Sequence, residues 1–234
     1  MRKIFIALFI LLKINVRAQN TLVSYEVISG GNTNLSNLIY NDSITVFKEE
    51  SIAAPGSNDL NGFEKDKKEN LSYGSYRFLN AVFHVKDSLH NFKWELTEDT
   101  AIILGHLCFT AKTHFRGRDY IAYYTPSIAT QEGPWKFGGL PGLILDVRAS
   151  DHYVEWKAVK IIQNYEGEIK PEAKSKHKMH SWEEFLEKYH STVEKYIKLV
   201  RSNGSLSANS TAAIKVESVE IFYPELQTGK GIEF

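Results

Sequence analysis

The chain has 234 residues, with 28 Lys and Arg set against 28 Asp and Glu, and a single cysteine. Zero formal charge excludes a basic nucleic-acid module and an acidic solvating tail, and one cysteine excludes a disulfide scaffold and an all-thiolate zinc site. The length is enough for one sizeable core.

At the N-terminus, Arg2 and Lys3 precede nine apolar residues, Ile4–Leu12, and Val16-Arg17-Ala18 offers small residues at the −3 and −1 positions of a cleavage site. This layout predicts a secretory signal peptide over residues 1–18, with a single mature domain over 19–234. Its removal takes four basic residues and no acid, leaving 24 bases against 28 acids. No cysteine follows the apolar run to carry a lipid anchor. No later stretch is long and apolar enough for a transmembrane segment. The expected location is therefore outside the cytoplasm, in the periplasm, associated with an outer membrane, or extracellular. A lone Cys108 in that oxidising setting is buried, paired between chains or reactive.

Thr21–Ile28 opens as a strand, and Ser51–Gly74 is polar and turn-rich, which predicts a solvated loop. Leu79, Ala81, Phe83 and Val85 alternate with other residues, Lys86-Asp87-Ser88 suggests a turn, and Phe92, Trp94 and Leu96 alternate again. Ile102–Arg116 reads as one long strand with Ile103, Leu107, Phe109, Ala111 and Phe115 on its core face, turning at Arg116–Asp119 into Tyr120–Thr125. Leu143, Leu145 and Val147 begin another strand, and Ala149–His152 turns it into Tyr153–Ile162. Tyr165–His180 is a second polar connector. Ser181–Arg201 spaces its apolar residues by three and four, with Ser181 and Glu184 forming a capping box and Gly204 beyond the end. Ala213–Phe222 returns to strand. The expected fold is mainly β (α+β): a curved antiparallel meander sheet or open half-barrel with one long amphipathic helix packed on it.

One segment breaks this pattern. Gly133–Ile144 holds four glycines and two prolines around Trp135 and Phe137, a composition for a rigid, irregular path. It is not a phosphate loop, because no Gly-Lys-Ser/Thr follows and a strand comes next. Gly139–Ile144 spells GLPGLI. With Trp94-Glu95-Leu96, Ile103–Cys108, Ala111-Lys112, Tyr124-Thr125-Pro126 and Gly133-Pro134, it resembles the GLPGLI family of exported Bacteroidota proteins over roughly residues 90–150. Ala129 stands where that pattern has proline and Tyr123 where tryptophan is common. The resemblance implies an exported envelope protein, often encoded near outer-membrane receptors, and supplies no activity. Asp42-Ser43-Ile44, Asp87-Ser88-Leu89 and Asp99-Thr100-Ala101 resemble envelope O-glycosylation sites, making Ser43, Ser88 and Thr100 candidate acceptors; Asp-Ser and Asp-Thr pairs also simply favour turns.

No Gly-x-Ser-x-Gly elbow or His-Glu-x-x-His helix is present, so no catalytic residue is assigned. The preferred reading is a non-catalytic binding or carrier module for an apolar ligand, a peptide or a partner such as an outer-membrane receptor system, with the helix as a lid. Trp135, Phe137 and Leu140 would anchor the ligand, with Gly139, Pro141 and Gly142 setting the loop; equally, the motif is a structural plug that meets no ligand. Two alternatives remain: a copper- or zinc-handling protein using His84, His106 and Cys108, and an envelope hydrolase. Arg116 and Arg118 read as a charged hairpin tip or an anion grip.

Overall fold

A computed structural model describes residues 19–50, 62–78, 80–171, 177–202 and 219–222. The leader, most of Ala213–Phe222, the first part of the polar segment Ser51–Gly74 and the middle of Tyr165–His180 lie outside the described residues. The strands are β1 (Asn20–Ser29), β2 (Asn32–Tyr40), β3 (Ile44–Glu49), β4 (Phe63–Asp66), β5 (Leu71–Phe78), β6 (Ala81–Ser88), β7 (Glu95–Ile103), β8 (His106–Phe115), β9 (Arg118–Thr125), β10 (Leu143–Ala149) and β11 (Val154–Tyr165). They form one 11-stranded sheet in the order β6-β5-β4-β3-β2-β1-β11-β10-β9-β8-β7, antiparallel throughout, with β6 and β7 as unjoined edges. The expected open antiparallel sheet with one helix packed on it is what forms among the described residues.

The sheet is curled. In a flat sheet β4 and β8, seven strand spacings apart in the order, would lie roughly 34 Å from each other. Yet Phe63 of β4 and Phe115 of β8 both meet the Trp135 ring, at centroid distances of 6.5 and 6.1 Å. The concave interior is where the main core sits. α1 (Trp182–Ser202) packs on the same face of the sheet, over β5 and β6, burying Phe185, Tyr189, Val193 and Ile197 against Phe78, Phe83 and Val85. Its capping box is formed: Glu184 N–H donates to Ser181 Oγ at 3.2 Å and Ser181 N–H to Glu184 Oε2 at 3.0 Å.

Four local expectations are corrected. The long strand over Ile102–Arg116 is broken by a tight turn at Leu104-Gly105, whose φ values of 50° and 80° are those of a hairpin turn with two left-handed residues. β6 runs through Lys86–Ser88, and its turn comes earlier, since Phe78 pairs directly with Ala81. The polar segment Ser51–Gly74 contains β4 and the start of β5. Finally, Ala111 is buried on β8, but Leu107 and Phe109 protrude beyond the core while Cys108 and Thr110 are covered. β2 and β3 add to the expected strands; Asn and Ser occupy much of β2 and mask its alternation.

Candidate functional site

The Gly-rich segment crosses the concave interior and is tied to both arms of the sheet. Its own turns close through Phe137 N–H to Pro134 O at 3.0 Å, Gly139 N–H to Gln131 O at 2.9 Å and Gly142 N–H to Leu140 O at 2.8 Å. From β4, Lys65 Nζ donates to Phe137 O at 2.6 Å, and Glu132 receives Lys65 at 3.4 Å, Lys67 at 2.8 Å and Thr45 Oγ1 at 3.0 Å. Paired with both lysines, the Glu132 carboxyl lies below its ordinary range despite burial. Trp94 Nε1 donates to Gly138 O at 2.9 Å, and Tyr25 Oη to Ile144 O at 2.6 Å.

This placement corrects part of the expected ligand site. Phe137 and Leu140 have essentially no exposed surface. Phe137 is surrounded by Phe92, Trp94, Tyr120, Trp135 and Trp156. Both side chains belong to the protein's own core, which is the plug role. Gly142 is also buried, whereas Gly139 and Pro141 are exposed. Of the three proposed anchors, only Trp135 reaches open space.

That space is a concave cleft of about 500 Å³, lined by Trp135, Trp156, Tyr76, Asn34, Ser36 and Glu220 among others. The two tryptophans stack at 5.5 Å with their planes 11° apart. Trp135 adopts φ = 52°, a left-handed conformation that costs a bulky L-residue about 1–2 kcal/mol. No residue of α1 lines the cleft, so the expected lid is corrected: the helix buries its apolar face on β5 and β6 instead.

Behind the cleft lies a cluster of charges that no sequence pattern announced. Lys136 is buried, with Nζ donating to Glu220 Oε1 at 2.6 Å and to Tyr76 Oη. Arg116 bridges Glu220 and Asp87, at 2.5 Å each, with its guanidinium 3.2 Å from the centre of the Trp182 ring. Burial lowers the Lys136 amine to about 8, although Glu220 opposes the shift. Burial raises the Tyr76 hydroxyl well above its ordinary value, and Glu220 adds to this. The members come from β5, β6, the β8–β9 turn, the Gly-rich segment and residues 219–222, so only folding assembles them. The β8–β9 hairpin turn does hold Arg116, but neither arginine is a solvated tip: Arg116 is bound by Glu220 and Asp87, and Arg118 is buried, donates to Val219 O at 2.9 Å and pairs with Asp151.

His90 borders this cluster, its Nε2 3.4 Å from Asp87 Oδ2. Burial first, then Lys136 and Arg116, depress it to about 3. The unfolded chain takes up a proton near the ordinary value of 6.5 that the folded chain refuses, so this group removes stability as pH falls from 6.5 towards 3. In urea titrations, His90→Gln is expected to flatten the loss of stability between pH 7 and pH 5. An unchanged slope would show that His90 accepts the proton in the fold.

The metal-ligand candidates do not converge. His84 on β6 stacks on His177 at 3.7 Å and bonds Ser75 Oγ through Nδ1 at 2.9 Å. His106, at the far end of β8 from Arg116, bonds Ser127 Oγ at 2.8 Å. Cys108 is fully covered, and burial pushes its thiol up, away from the reactive thiolate. Among the described residues, no group of three His, Cys, Asp or Glu is placed to hold one ion. Of the candidate glycan acceptors, Ser88 and Thr100 are exposed and Ser43 is partly so.

No family model matches the chain, and no curated protein does. Among solved structures the chain is similar to PNGF-II, seen in C2 and P21 crystal forms, with a TM-score of 0.51 to each and 20% and 19% identity. Each match covers 70% of this chain and 31% of PNGF-II, so the chain spans less than a third of that protein's length. At this identity the likeness shows the fold alone.

Proposed function

We propose that the protein is an exported, GLPGLI-type envelope module that binds rather than transforms its ligand. The cleft floored by the stacked Trp135 and Trp156 is its site, and a peptide carrying an apolar side chain is its ligand. The observation that carries this reading is the left-handed backbone of Trp135 at the cleft, strain of the kind that collects where a side chain is held for recognition. The walls match a ligand of mixed character: the aromatic floor takes an apolar group, and Asn34 and Ser36 offer hydrogen bonds to a peptide backbone. The hydrolase alternative is weaker. Glu220 lines the cleft, but its carboxylate is shared by Lys136 and Arg116, and His90 is not among the lining residues.

Native mass spectrometry of mature protein, purified gently from its own envelope, tests this. A reproducible added mass of peptide size is expected, lost in Trp135→Ala and in Asn34→Lys, the latter placing a charge on exposed β2 without touching the core. A bare monomer mass overturns the proposal. So does an adduct that persists in both variants.

A further inference from the structure

The two edges of the sheet are finished differently. On β6, His180 N–H donates to His84 O at 2.8 Å and Lys86 N–H to His180 O at 2.9 Å, forming a parallel bridge alongside Val85, and α1 packs against the same strand. β7 pairs with β8 alone among the described residues, so its outer row of N–H and C=O groups is open to another strand. A register shift between Leu96 and Thr100 distorts the first half of β7 and leaves Thr100–Ile103 as its regular stretch. Next to that stretch the surface is apolar. Ile102, 69% exposed, lies directly opposite Leu107, 51% exposed, and Phe109 and Leu104 extend the patch. Just before it, Glu98 and Asp99 are exposed and form no ion pair among the described residues, whereas Glu95 lies opposite Lys112.

We propose that Thr100–Ile103 and the β7–β8 tip are a docking edge for an extended segment of a partner protein. That segment alternates apolar residues with lysine or arginine and adds as a further strand. Backbone groups of β7 supply the ladder, Ile102, Leu107 and Phe109 receive the apolar side chains, and Glu98 and Asp99 meet the cations. The same acids disfavour the other occupants. Two copies of β7 laid edge to edge, parallel and in register, would bring like charges together, an antiparallel pair would leave these acids without cationic partners, and an anionic lipid surface would be repelled. A glycan on Thr100, which lies opposite Phe109, and a docked strand would exclude each other.

The test titrates the isotope-labelled mature protein, made without glycosylation, with a short peptide alternating lysine and valine and with a twin carrying glutamate for lysine. The lysine peptide is expected to shift the amides of Thr100–Ile103 and Leu107–Phe109. Its affinity is expected to fall about tenfold or more for the glutamate twin and for the Glu98→Lys/Asp99→Lys protein. Ile102→Asp is expected to abolish binding. Absence of binding, equal affinity for the two peptides, or shifts confined to other strands overturn the proposal. Dimerisation in sedimentation runs that Ile102→Asp abolishes assigns the edge to a second copy, and binding to phosphatidylcholine vesicles lost in the same variant assigns it to a lipid surface. Either result also overturns it.

Discussion

Replacing Gly142 with alanine is expected to cost more than about 4 kcal/mol, enough to leave most of a domain of ordinary stability unfolded. Gly142 has φ = 152°, and an added Cβ would sit 2.5 Å from the Thr125 carbonyl carbon, nearer still to its oxygen, and 2.7 Å from Pro126 N. These are backbone atoms at the end of a paired strand. Thr125 is in register with Leu143, and Leu143 N–H is held by Ile128 O at 3.2 Å, so neither side can yield without breaking the β9–β10 ladder. The neighbouring glycines set a graded control. A Cβ at Gly138 would meet Gln131 O at 2.8 Å, a single clash. At Gly139 the nearest atom is Trp94 Nε1 at 3.9 Å, so only the left-handed φ of 88° is penalised, by about 1–2 kcal/mol. Denaturant midpoints of the three alanine variants should rank Gly142 as most damaging, then Gly138, then Gly139. Equal losses would show that close packing does not explain the motif's glycines.

The second large effect belongs to Glu220. Glu220→Gln is expected to cost about 3–5 kcal/mol, because it leaves the buried Lys136 and the mostly buried Arg116 side by side with Asp87 as the one carboxylate bonded to Arg116. Lys136→Met should cost less, since Glu220 keeps Arg116 and the thioether chain fits among the surrounding rings. The two proteins should also differ with pH. The folded Lys136 amine releases its proton at about 8, below its ordinary value of 10.5. Between those values the unfolded chain binds a proton that the folded chain has lost, so this group adds stability as pH rises. Above 10.0 the buried Tyr25 and Tyr76, which resist ionisation, pull the other way. Urea unfolding from pH 8 to 10 should therefore gain stability in the parent relative to Lys136→Met. Parallel curves would mean that Lys136 stays charged in the fold.

Most of the secondary structure was legible because it obeys local rules. Val154, Trp156 and Ala158 alternate into the core as their spacing requires, and the helix begins at its Ser181 cap. The turn at Leu104-Gly105 escaped because Leu104, an apolar residue, occupies a left-handed turn position and so extends the apparent strand. The exposure of Leu107 and Phe109 escaped for a different reason. They stand on the expected side of β8, but the sheet's edge overhangs the core there, and alternation reports a face without reporting what covers it.

The candidate site divides along the same line. The sequence by itself determined a mainly β chain with one amphipathic helix and a rigid glycine-proline segment carrying two aromatics, since each depends on residues close together in the chain. Tertiary structure alone decided that Phe137 and Leu140 are buried while Trp135 reaches the cleft, that His84, His106 and Cys108 form no metal-holding group, and that Asp87, Arg116, Lys136 and Glu220 meet. Burial and charge pairing depend on how far an eleven-stranded sheet curls, a property of all its strands together that no local window of residues encodes.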